Sequence, residues 1–169
     1  MSDNLHPLQV MKQIHRDCHQ LCSRLLGKSY GVAGNIGVFS RNDKDYKMLT
    51  SYQIDVTETS GNPNQKYFQL KSAIIIPAEG DIPESIYTYL YIRKPDPTPY
   101  GLYLGDIDFV LKPQEYHDLK NSLLTGAIIK GVEIYDRPGW DMLQLTDPGI
   151  SSVAYLCTQE MAEKVRVRF

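Results

Sequence analysis

The sequence predicts a single α+β domain over residues 1–169. It is built on a mostly antiparallel sheet of six to eight strands, with an N-terminal helix and a second helix over about 113–124 packed on one face. Three observations point there. Strand patterns cluster between helical ones with no regular β-helix-β rhythm. The turns between them are short, which favours antiparallel neighbours over crossovers. The chain has 169 residues, 42% hydrophobic and 22% charged, enough to bury a core unaided.

The first element is a helix from Pro7 to Leu26. Proline suits the first helical position because it lacks an N–H that would go unpaired there anyway, and Gly27 suits the end. Leu8, Met11, Ile14, Cys18, Leu21, Cys22 and Leu25 recur at three- and four-residue steps and form one buried stripe, with His15 and His19 at its edge. His15, Cys18, His19 and Cys22 have zinc-ligand chemistry. A straight helix, however, separates His15 from Cys22 by about 10 Å of rise, too far for four ligands on one ion. They are expected to be core and helix-edge residues.

Gly27 to Ser40 contains Gly-Lys-Ser. A phosphate-binding loop needs a strand before it and a helix after it, and here the order is reversed. A strand over Asn35–Ser40, with close backbone packing at its glycines, is the expectation. Asn42 or Asp43 caps a helix through Tyr52. A strand over Gln53–Thr59, the turn cluster Gly61–Gln65 and a strand over Lys66–Ile76 follow, forming an antiparallel meander with the next strand.

Ile86 to Leu111 is the most strongly patterned stretch and is expected to hold two neighbouring strands. Successive strand side chains alternate faces. Ile86, Thr88, Leu90 and Ile92 therefore point one way and Tyr87, Tyr89, Tyr91 and Arg93 the other. Pro95, Pro97 and Pro99 end the first strand for want of ladder donors. In the second, Ile107, Phe109 and Leu111 oppose Asp106 and Asp108. Pro113 opens the next helix and Gly126 closes it. Strands over Ala127–Tyr135 and Trp140–Thr146 flank a turn at Asp136–Gly139, whose Pro138-Gly139 pair fits type II geometry. A strand over Ser152–Cys157 and a helix over Gln159–Lys164, capped by Thr158, complete the chain.

Net charge is −2 and the pI about 6.1, so the basic footprint of a general nucleic-acid binder is absent. The N-terminus lacks a basic region followed by an apolar run, and no apolar stretch approaches membrane-spanning length. Three cysteines, two of them four apart in one helix, make no disulfide framework and suit a reducing cytoplasm. Cys18 and Cys22 are stripe residues, and nothing brings Cys157 to His117, so a thiol nucleophile is not expected. No serine has a nucleophile-elbow context.

Two candidate sites remain. Tyr87, Tyr89, Tyr91 and Arg93, with Trp140 at the later turn, offer amphipathic rings and a planar cation, which suit recognition of a protein or small ligand. Asp106 and Asp108, two carboxylates on one strand face, can hold a divalent cation such as magnesium. The first expectation is a non-catalytic binding or regulatory module with no cofactor. The alternative is a cation-dependent phosphoryl or nucleotidyl transfer enzyme at Asp106 and Asp108; the D-x-D strand resembles half of the nucleotidyltransferase signature, whose Gly-Ser half is missing. Single-stranded nucleic acid stacking on the tyrosines comes third, against the acidic charge. A homodimer through a sheet edge is the default partner.

Overall fold

The computed structural model describes residues 6–135 and 137–167. The elements run α1 (Pro7–Leu26), β1 (Gly31–Phe39), α2 (Asp43–Val56), β2 (Phe68–Ile76), β3 (Ser85–Arg93), a 3-10 turn at Pro99–Leu102, β4 (Gly105–Val110), α3 (Pro113–Leu124), β5 (Val132–Ile134), β6 (Leu143–Leu145), β7 (Val153–Cys157) and α4 (Gln159–Lys164). The strands form one seven-stranded mixed sheet in the order β2-β3-β1-β4-β7-β6-β5. The β1–β3 and β4–β7 pairs are parallel and the other four are antiparallel.

α1 forms where the pattern put it. Pro7 opens it, and Gly27 closes it at φ 64°, its N–H donating to the Ser23 carbonyl at 2.9 Å. The stripe is wider than its apolar residues suggest. His15 and His19 are buried with Met11, Ile14, Cys18, Leu21 and Cys22, not left at the edge. Cys18 Sγ donates to the Val153 carbonyl at 3.3 Å. The main core joins this stripe to Ile36, Leu90, Ile92, Ile107, Phe109, Leu143 and Leu156 of the sheet, Leu49 of α2 and Tyr116 of α3. A second cluster on the other face holds Tyr67, Met142, Val153, Tyr155 and Cys157 with Ala162 of α4 and Val165.

Four further expectations need correction. Residues 53–56 continue α2 instead of opening a strand; Asn42 accepts from the Asp45 N–H at the start of the helix, and Gln53 sends its side-chain amide to the Leu90 carbonyl at 3.1 Å. At the sheet edge Thr57 forms an isolated bridge to Leu70 and the Glu58 N–H donates to the Gln69 carbonyl at 2.8 Å, with no strand formed, so the meander reduces to the β2–β3 hairpin. The two strands of Ile86–Leu111 are not neighbours, because β1 lies between them, parallel to β3 and antiparallel to β4.

The fourth correction concerns β3, where strict alternation fails. Its pairing with β2 jumps from Gln69↔Tyr89 to Ile74↔Tyr87, so several β2 residues lie opposite Thr88 alone. The extra residues lie in β2, and beside them β3 itself loses its two-residue rhythm between Tyr87 and Leu90. Tyr87 therefore joins Leu90 and Ile92 in the α1-side core, Ile86 is exposed, and Tyr89 and Tyr91 pack with the second cluster. A matching irregularity in β1 lies at Gly34, whose φ of 97° excludes most side chains and whose added Cβ would lie 2.8 Å from Thr88 Oγ1.

Candidate functional site

The face of the sheet opposite α1 carries a cleft of about 750 Å³. β4 supplies the floor. Ile107 and Phe109 point into the α1-side core, so alternation sends Asp106 and Asp108 into the cleft. Tyr91 and Arg93 come from β3, Phe39 from β1 and Tyr155 from β7; Lys66 and Tyr67 precede β2, Asp96 and Tyr100 lie in the proline-rich loop, and Arg137 and Trp140 belong to the β5–β6 connection. There the Trp140 N–H donates to the Arg137 carbonyl at 3.0 Å and Gly139 sits at φ 81°, a type II turn one residue later than expected; Asp136 lies outside the described residues.

The floor is buried. Asp106 is 8% exposed and Asp108 2%. Asp108 Oδ2 accepts from Asn35 Nδ2 at 3.0 Å, and Asn35 donates also to the Ala162 carbonyl at 2.7 Å. Arg166 closes this chain by donating to Asn35 Oδ1 at 2.9 Å. No donor meets the buried Asp106 Oδ1 at hydrogen-bond geometry among the described residues, although the Gly37 backbone N–H lies close enough to act on the carboxyl group as a whole. Gly37 makes room for it, since a Cβ there would lie 2.3 Å from that oxygen.

Burial pushes both carboxyl groups well above the usual carboxylate range. Lys66 and Arg93 pull Asp106 back, whereas the Asp106 charge raises Asp108 further. Two such groups on one buried face each make ionisation of the other harder. Burial also lowers the Lys66 ammonium, and the two aspartates oppose that shift.

Aromatic rings hold the cations. Lys66 Nζ lies 4.3 Å from the Trp140 ring centre and 4.9 Å from that of Tyr91, and Arg137 lies 4.5 Å from Trp140. The Arg93 guanidinium sits 4.9 Å from Phe39 and 4.6 Å from Tyr100. Its Nη2 donates to Asp96, while Nη1 is buried without a partner. Tyr155 donates to Gln144 Oε1 and is hydrogen bonded to the Tyr100 hydroxyl. Burial raises both phenols, which stay protonated.

The structure thus divides the residues the sequence singled out. Tyr91, Arg93, Trp140, Asp106 and Asp108 meet in one cleft. Tyr89 shares their face but lies under the Arg166 guanidinium, 4.0 Å from its ring centre. Tyr87 is turned away: it is fully buried, its hydroxyl 2.8 Å from His15 Nδ1. Lys66, Tyr67, Arg137 and Tyr155 were missed. Of these, Tyr155 had a readable signal, because Ala154 and Leu156 alternate with it. Among the described residues, no group of three His, Cys, Asp or Glu side chains is placed to share a metal ion, and no helix is long and apolar enough to cross a membrane. Comparison with family models, curated proteins and solved structures finds no match for this chain.

Proposed function

We propose that this chain is a small-ligand-binding module whose ligand seats in the cleft over Asp106. One observation carries this reading: an unpartnered, buried carboxylate oxygen forms the floor of an open cleft. A buried acceptor without a donor costs about 1–3 kcal/mol, and a ligand donor reaching it relieves that cost. The surroundings fit a binding site as well. Rings and a few convergent polar groups line a concavity within the volume range of ordinary ligand sites.

Cation-dependent transfer at Asp106 and Asp108 has less support. Lys66 and Arg93 already act on Asp106 from the cleft, and a third oxygen or nitrogen ligand of the usual kind is not beside it among the described residues. Stacking of single strands has less support too, because the tyrosine row is broken: Tyr87 faces the core and the rings of the cleft face already hold cations.

The test is a fragment screen by ligand-observed NMR, repeated on Asp106→Asn and Trp140→Ala proteins that retain the wild-type circular dichroism spectrum. Hits on the wild type are expected to weaken at least tenfold in both variants. Hits that bind both variants as well as the wild type place the ligand elsewhere and sink the reading. A magnesium titration run alongside is expected to leave the melting point unmoved at millimolar cation.

A further inference from the structure

Resting on the cleft as a ligand site, we infer that its ligand is a small phosphate monoester that also carries a hydroxyl or amino donor, the phosphate meeting Arg93, Lys66 and Arg137 and the donor reaching Asp106 Oδ1. The two unpartnered buried groups of the cleft set this polarity. Arg93 Nη1 is a donor lacking an acceptor, and Asp106 Oδ1 is an acceptor lacking a donor. A ligand satisfying both must present an anionic group at one end and an N–H or O–H at the other.

The choice of phosphate follows from charge and direction. Four cations line the cleft, Lys66, Arg93, Lys94 and Arg137, against Asp96 and the Asp106–Asp108 pair. The four cations outnumber the three carboxylates, and burial, which pushes Asp106 and Asp108 toward their neutral forms, enlarges the positive excess. A phosphate monoester carries close to two negative charges at neutral pH. A carboxylate brings one, in a plane. Lys66, Arg93 and Arg137 come from three separate segments, and a tetrahedral anion accepts from three directions at once.

The rings support the same conclusion. Trp140, Tyr91, Phe39 and Tyr100 face the cations and position them without taking up their N–H donors. A lysine held in this way has lost part of its hydration, and burial has lowered its pKa. An arriving dianion therefore meets donors that are already oriented. Because those ring faces are occupied, the ligand is held by its phosphate and its donor, with no base stacked between rings.

Calorimetry with four probes tests this: inorganic phosphate, ribose 5-phosphate, adenosine 5′-monophosphate and unphosphorylated ribose. The expected order places at least one of the two esters tenfold or more above ribose, with inorganic phosphate weaker than that ester. Which ester binds tells a sugar phosphate from a nucleotide. Arg137 is exposed on its turn, so an Arg137→Gln protein is expected to keep the wild-type circular dichroism spectrum and to lose at least threefold in affinity for the ester and for inorganic phosphate. Asp106→Asn is expected to weaken the ester while leaving inorganic phosphate within twofold. Ribose binding as tightly as its phosphate, or none of the phosphate compounds binding at millimolar concentration, overturns the ligand class. In that event the fragment screen still decides, by itself, whether the cleft is the site.

Discussion

Acid should unfold this protein through two histidines inside α1. His15 and His19 are nearly sealed from water, with ring centres 4.6 Å apart. His15 Nδ1 is bonded to Tyr87 and His19 Nε2 to Ser85, while His15 Nε2 and His19 Nδ1 have no partner. Burial lowers each ring from 6.5 to about 4; Arg16 depresses His15 further, and His15 depresses His19. In the unfolded chain both rings protonate near pH 6.5, so between that pH and about 4 the unfolded state binds more protons. Stability is then full above the unfolded value and falls as pH drops through the window. At pH 5 the linkage amounts to about 2 kcal/mol for each ring, or about 4 kcal/mol for the pair.

The buried aspartates act in the opposite sense. Their raised folded values mean that the native state holds more protons than the unfolded chain near neutrality, so they add stability as pH falls. Wild type therefore shows only the difference. The measurement is urea unfolding at about pH 8 and pH 5 on an Asp108→Asn background, with and without His15→Gln and His19→Gln. The background protein should lose several kcal/mol on acidification and the histidine variant should lose about 4 kcal/mol less. Equal losses in both proteins would refute the argument.

Two further outcomes follow from the same coordinates. Asp108→Asn retains an oxygen for Asn35 while removing a buried charge, so at about pH 8 it should unfold at higher urea than wild type, by roughly 1–2 kcal/mol, with the gain shrinking toward pH 5; a loss at pH 8 would count against a costly buried charge at Asp108. Gly105→Ala should cost about 2–4 kcal/mol in thermal unfolding, because its Cβ would lie 2.1 Å from the Gly37 carbonyl oxygen and 2.5 Å from Ile14 Cδ1, whereas Gly61→Ala, with open space around it, should stay within about 0.5 kcal/mol.

Local signals in the sequence were readable and long-range ones were not. Pro7, Gly27, Asn42 and Thr158 act within a turn of their own helix, so they mark its boundaries directly. Ile107 and Phe109 against Asp106 and Asp108 express a two-residue period that β4 keeps unbroken. Ile54 and Val56 looked like strand residues, but Gln53 and Leu49 tie that segment to the sheet as a helix. The slip at Thr88 depends on what β2 and Gly34 place beside it, and no run of β3 residues reveals that. Half of the cleft was hidden for a similar reason. Lys66, Tyr100 and Arg137 come from three loops, brought to Asp106 by a strand order in which sequence neighbours are separated.

That strand order has a consequence for synthesis. β1 leaves the ribosome before both its neighbours in the sheet, β3 and β4, which are made more than forty residues later. Until then Ile36 and Val38 have no strand on either side, and the oily side of α1 lacks most of the sheet it packs on. Pairings that span so much chain form slowly and leave apolar surface open to other molecules meanwhile. A nascent chain stopped before Gly105 would carry β1, an interior strand of the sheet, with one flank bare, and aggregation or degradation, more than misplacement of the cleft, is the failure such a truncation should show.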